Sequence, residues 1–151
     1  CLMFKISFLY ALFILWAGLI LGVSFIATPV KFMAPHLTVP VALEIGKVTF
    51  HLFNKIEWGI CLFVVLITAN IRGSYFKWFF TGMLLIILIL QTFWLLPTLD
   101  VRVAQVISGG PSIPGPLHWF YIGADILKIM IALMGAYWIT YQVKDERRSY
   151  Y

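Results

Sequence analysis

The chain has 151 residues, of which 62% are hydrophobic and 11% charged, and its mean hydropathy is +0.97. Charged residues approach a quarter of an ordinary soluble domain, so this composition excludes a soluble globular enzyme, a disordered tail and a disulfide scaffold. It specifies a polytopic membrane protein. The net charge of +5, from 11 Lys and Arg against 6 Asp and Glu, sets orientation and meets anionic headgroups in such a chain, and no basic run is long enough to argue for nucleic acid.

At about 20 residues per crossing, the length allows four or five spans and leaves no room for a folded domain outside the bilayer. Cys1 at the first position places the expected start upstream or at Met3, and Cys1 and Cys61 make poor disulfide partners. The segment Ile6 to Val30 is charge-free, too long for a signal-peptide core and without a small-residue cleavage site. It reads as a retained first span over 6–26, ended by Thr28-Pro29. A Pro-broken connection, Val30 to Leu43, leads to a second span over 44–69, and Asn70 to Ser74 turns the chain. The third span covers 76–96 and is expected to stop at Pro97. A Gly- and Pro-rich loop from Thr98 to Pro116 follows, then a fourth span over 117–142 and a charged tail from Lys144 to Arg148. No internal repeat is evident.

One side of the membrane would carry Lys5, Arg72, Lys77, Lys144, Arg147 and Arg148, and the other only Lys31, Lys47 and Arg102. This bias favours both termini in the cytoplasm. Trp78, Trp94, Trp119, Tyr121, Trp138 and Tyr141 fall near span ends, as interfacial anchors do. The expected fold is therefore all-α, a single four-span domain forming an antiparallel four-helix bundle in a cytoplasmic-type membrane, inner or plasma.

The spans are unequal. The first and third are free of charge over 6–30 and 78–99, whereas the second holds Lys47, His51, Asn54, Lys55 and Glu57 and the fourth holds His118, Asp125 and Lys128. A charge at mid-membrane costs at least about 2.5 kcal/mol on insertion scales, so such residues face protein or trapped water and find partners. Glu44, Lys47, His51, Asn54 and Trp58 recur at helical spacing, and His118, Tyr121, Asp125 and Lys128 repeat that spacing. Spans two and four should thus enclose a polar cluster, with spans one and three facing lipid or partners. Lys55, Glu57, Asp125 and Lys128 sum to zero charge, and neutral burial needs no ion. At a rise of about 1.5 Å per residue, His51 and His118 lie near the outer mouth, with Glu57 and Asp125 roughly 10 Å deeper. Asp100 and Arg102 either cover that mouth or form a solvated loop pair, the second being favoured.

Several chemistries fit these residues in part. His51 and His118 on facing helices could supply both axial ligands of haem b. With Glu57 or Asp125 they could also hold zinc or copper, although Lys55 and Lys128 would repel a cation, no CxxC or HExxH spacing occurs, and His36 lies in a Pro-broken loop. His51, Glu57, Asp125 and Lys128 could form a proton relay, but below them the interior offers chiefly Cys61, Thr68 and Thr140, which suits a pocket open to the outside better than a channel. Ser108 and Ser112 lack an acid-histidine pattern, and Gly109-Gly110 precedes no phosphate-binding helix.

The order of features resembles the transmembrane-protein-205-like family of four-span membrane proteins, which includes bacterial domains. The similar features are the Gly-containing first span leading into Ala27-Thr28-Pro29-Val30-Lys31-Phe32, then Phe50-His51-Leu52-Phe53, Pro97 closing span three and Leu117-His118 opening span four. Asp125 and Lys128 are charges beyond that pattern. The resemblance implies the architecture and no particular reaction. The expected function is non-enzymatic: an accessory or assembly subunit, or a small-solute binding protein, with an outward-facing polar pocket between spans two and four. The lipid bilayer, a membrane-protein partner and a second copy of the chain are the partners expected. The alternative is a membrane redox protein binding haem b through His51 and His118.

Overall fold

The structure, a computed structural model, describes residues 2–71, 75–111 and 116–148, with side chains described between 3 and 141. Among these residues every regular element is helical. Four helices are long and apolar enough to cross a membrane: α1 (Met3–Lys31), α2 (Val39–Asn70), α3 (Phe76–Ile107) and α4, whose apolar part is Pro116–Tyr141 and which continues to Arg148. A multi-pass α-helical membrane protein is the class this defines, because only a helix or a closed barrel satisfies its backbone inside hydrocarbon.

All four helices overrun the boundaries expected from proline. Helix α1 passes through Pro29 to Lys31, and α3 passes through Pro97 to Ile107. A proline inside an α-helix lacks its N–H and clashes with the carbonyl four residues back. Here a wider turn precedes each one, Leu21–Ala27 in α1 and Gln91–Leu95 in α3. Thr28 donates its N–H to Val23 and Leu96 donates to Gln91, five residues back in both cases. This π-type turn relieves the clash and lets the helix continue. At the other two boundaries, Pro40 and Pro116 sit in the first turns of α2 and α4, where no N–H is needed. Asp100 and Arg102 therefore lie on α3, not in a loop. The chain leaves α3 through Gly109, whose φ of +96° suits glycine alone. Arg72, Ser112 and the side chains of Lys144, Arg147 and Arg148 lie outside the described residues.

Each helix packs against its neighbours in the chain, and α4 closes back on α1 over the most extensive contact. The inward stripe of α1 is Leu9, Phe13, Trp16 and Ile20, meeting Ile131, Ala132, Ala136 and Ile139 of α4. Small residues bring these helices close, since packing rather than water release holds helices together in lipid. At Gly135, a Cβ would stand 3.3 Å from the Phe13 ring and 3.4 Å from Phe80. Gly135→Val should therefore force α1 and α3 away from α4, at about 1–3 kcal/mol for overpacking. A fall in the thermal unfolding midpoint in detergent would register it; an unchanged midpoint would mean these contacts are loose.

The outer surface is apolar, with Leu15, Leu62, Phe63, Ile86, Phe93 and Met130 all exposed. At one end of the molecule Lys5 donates to the Asn70 carbonyl at 3.4 Å and Lys77 donates to that of Ile71. At the other, Asp100 of α3 meets His51 and Lys47 of α2. Of the expected aromatic anchors, Trp78, Trp94, Trp119 and Tyr141 are exposed and Trp138 is partly so, but Tyr121 is buried, at 3% exposure.

Candidate functional site: a buried charge cluster beneath a cavity

Three ionisable side chains, Glu57, Asp125 and Lys128, are completely buried at the bundle centre. Glu57 and Asp125 come from α2 and α4, and Lys128 follows Asp125 by one helical turn, so both face inward together. Lys128 Nζ lies 2.5 Å from Glu57 Oε1 and 3.1 Å from Asp125 Oδ1. The surrounding helices complete the shell. Trp16 of α1 donates its indole N–H to Glu57 Oε1 at 2.9 Å. Gln91 of α3 donates to Asp125 Oδ1 at 2.8 Å, and Ser24 of α1 donates to Oδ2 at 2.5 Å. Asp125 thus receives three donors over its two oxygens, as a carboxylate can. Glu57 Oε2 receives none, and Gln91 Oε1 and the Tyr121 hydroxyl also lack partners among the described residues.

A neutral rung adjoins these charges. Asn54 and Trp58 of α2 both donate to the Thr92 hydroxyl of α3 at 3.0 Å. Thr92 gives its own proton to the Leu88 carbonyl at 2.7 Å. One donor and two acceptor sites are all a hydroxyl has, so Thr92 is saturated. Its role is to tie α2 to α3.

Above the cluster, between the ends of α1 and α3 and the starts of α2 and α4, lies a cavity of about 790 Å³. Its floor includes Asp125 and Ser24, its walls Phe25, Phe50, Leu96 and Ile122, and its rim Lys31, Lys47, Asp100, Arg102 and His118. Tyr121 lines it too and packs edge-on against Phe50, ring centroids 5.1 Å apart. Lys31 reaches over the Phe50 ring at 5.9 Å and the Phe32 ring at 5.3 Å. The walls are mainly apolar, and charge is confined to floor and rim, whereas a polar pocket was expected. A further hollow, lined by Phe80, Leu133, Met134, Tyr137 and Trp138, holds no charged residue and lies among outward-facing side chains.

The structure brings together Asn54, Glu57, Tyr121, Asp125 and Lys128 and separates the other expected members. Lys55 is exposed, because two positions along a helix turn a residue about 200° away from Glu57. The neutral count that included Lys55 is therefore corrected: the enclosed set is two acids and one lysine. His51 is held by Asp100 at 2.7 Å and does not line the cavity, while His118 does. The two imidazoles do not flank one space, so these residues do not fit a haem held between them. Among the described residues no three His, Cys, Asp or Glu side chains converge as a metal site would require.

Spans one and three are not mere lipid-facing walls, since they supply Trp16, Ser24, Gln91 and Thr92 to the centre. A sequence signal for two of these exists. Ser24-Phe25 precedes Pro29 and Thr92-Phe93 precedes Pro97, and these pairs, like Glu57 and Asp125, are 68 residues apart. Contrary to the expectation of no repeat, the two halves share a device, a hydroxyl in a widened turn before a proline. Each hydroxyl crosses to the other half: Ser24 to Asp125 of α4, Thr92 to Asn54 and Trp58 of α2.

The fold and site define a multi-pass helical membrane protein with a charged centre under an apolar cavity. No family model, curated protein or solved structure matches the chain.

Proposed function

We propose that the protein binds a small amphiphile in the outer cavity, with an apolar body against Phe25, Phe50, Leu96 and Ile122 and an acidic head at the rim. The observation that carries this is the division of the cavity into apolar walls and a rim where Lys31 and Lys47 outnumber Asp100. Pockets of this size, largely apolar with few placed polar groups, are the usual form of small-molecule sites, and surplus cations favour an anionic head. The bundle is antiparallel with both termini cytoplasmic, a reading supported by Lys5 and Lys77 sharing one end and by the lysine and arginine bias. The membrane is of the cytoplasmic type, and the cavity then opens outward.

A fluorescent fatty acid titrated into purified protein tests the reading. Saturable binding is expected, displaced by the unlabelled acid and about tenfold less well by the alcohol of equal chain length, a difference of roughly 1.4 kcal/mol. Ile122→Trp should put a bulky ring into the cavity wall and weaken binding. Equal displacement by acid and alcohol, or undiminished binding to Ile122→Trp, would overturn the assignment.

A further inference from the structure

Glu57, Asp125 and Lys128 each have 0% exposure, and with both acids ionised the set carries one uncompensated negative charge. Such a charge away from water is costly, and a buried group escapes the cost by pairing or by taking up a proton. Among the described residues, the groups in and around this cluster supply no second cation. From α1 comes Trp16, from α3 the uncharged Gln91 and Thr92, from α2 itself the buried Cys61, and from α4 Tyr121, Asp125 and Lys128. The pattern of donors then separates the two acids. Asp125 is met by Ser24, Gln91 and Lys128, whereas Glu57 leaves Oε2 without a donor among the described residues. The acid whose ionised form collects fewer donors is the one that a shared proton favours.

We propose that this cluster holds one exchangeable proton on the Glu57 carboxyl, and that the proton exchanges with the outer side through Asp125 at the cavity floor. The lysine between the acids is the carrier. A proton entering from the cavity protonates Asp125; Lys128 passes one of its own protons to ionised Glu57 and takes the one on Asp125, so the ammonium is restored and Asp125 is again a carboxylate. Unloading reverses these transfers. Lys128 stands within hydrogen-bond reach of both acids, and Asp125 lines the cavity. The proposal does not depend on which molecule the cavity binds.

Infrared spectroscopy of the purified protein in lipid vesicles, in H2O and in D2O, tests it. The expected result is a protonated-carboxyl carbonyl band at neutral pH that shifts in D2O, is lost in Glu57→Gln and is unmoved in Ser24→Ala, which removes a hydrogen bond from Asp125 alone. Exchange should slow in Ile122→Trp, which obstructs the cavity. Glutamine mimics the neutral acid, so Glu57→Gln should fold; its failure to do so would count against the proposal. Absence of the band, its survival in Glu57→Gln or its displacement in Ser24→Ala would overturn it. So would a sodium-dependent rise in melting temperature without the band, which assigns the missing positive charge to a metal cation.

Discussion

Lys128→Met should be among the most damaging single substitutions in the chain. The Lys128 ammonium touches Glu57 at 2.5 Å and Asp125 at 3.1 Å with no exposure to solvent or lipid. Removing it strands buried negative charge, a change that costs about 3–5 kcal/mol where one partner of a buried pair is lost. Folded yield in mild detergent and the thermal unfolding midpoint both report it. The exposed Lys55 serves as the control, and Lys55→Met should leave the midpoint nearly unchanged. Second-site replacements sharpen the result. With the proton on Glu57, Asp125 is the remaining anion, so Lys128→Met combined with Asp125→Asn should recover most of the lost stability, while Lys128→Met with Glu57→Gln should not. Equal recovery by the two would refute that charge assignment, and a stable Lys128→Met would refute the burial argument itself.

The second large effect is expected at Trp16, which is fully buried and ties α1 to Glu57 through its indole N–H at 2.9 Å. Trp16→Ala should cost about 3–5 kcal/mol, because the neighbours of a large core side chain collapse only partly into the space it leaves. Trp16→Phe preserves most of the volume and removes the hydrogen bond, a loss of about 0.5–1.5 kcal/mol. The two midpoints, measured in the same detergent, separate packing from polarity. If Phe proves as damaging as Ala, the bond to Glu57 outweighs the packing, and the central cluster is more dependent on α1 than its geometry indicates.

The placing of long apolar runs between polar and Gly- or Pro-rich breaks specified four membrane-spanning helices, since such runs have no other way to satisfy their backbone in hydrocarbon. The pairing of inward residues Glu57, Asp125 and Lys128 was legible too, because charge in an apolar helix must turn toward protein. Proline was misleading in the same sequence. Pro29 and Pro97 read as terminators, yet each follows a wider turn that carries the helix onward, and this alone places Asp100 on α3 beside His51. Lys55 likewise has the composition of a cluster member and the position of a surface residue.

What the sequence by itself determined is the class of protein and the identity of its central charges, both consequences of the cost of polarity in lipid. Which uncharged groups complete the site was decided by the tertiary structure. Trp16, Ser24, Gln91 and Thr92 are cheap to place anywhere on a helix, so no local pattern singles them out; they become a shell only where packing turns α1 and α3 toward the acids. The apolar character of the cavity was settled in the same way, by side chains from four separate helices meeting at one end of the bundle.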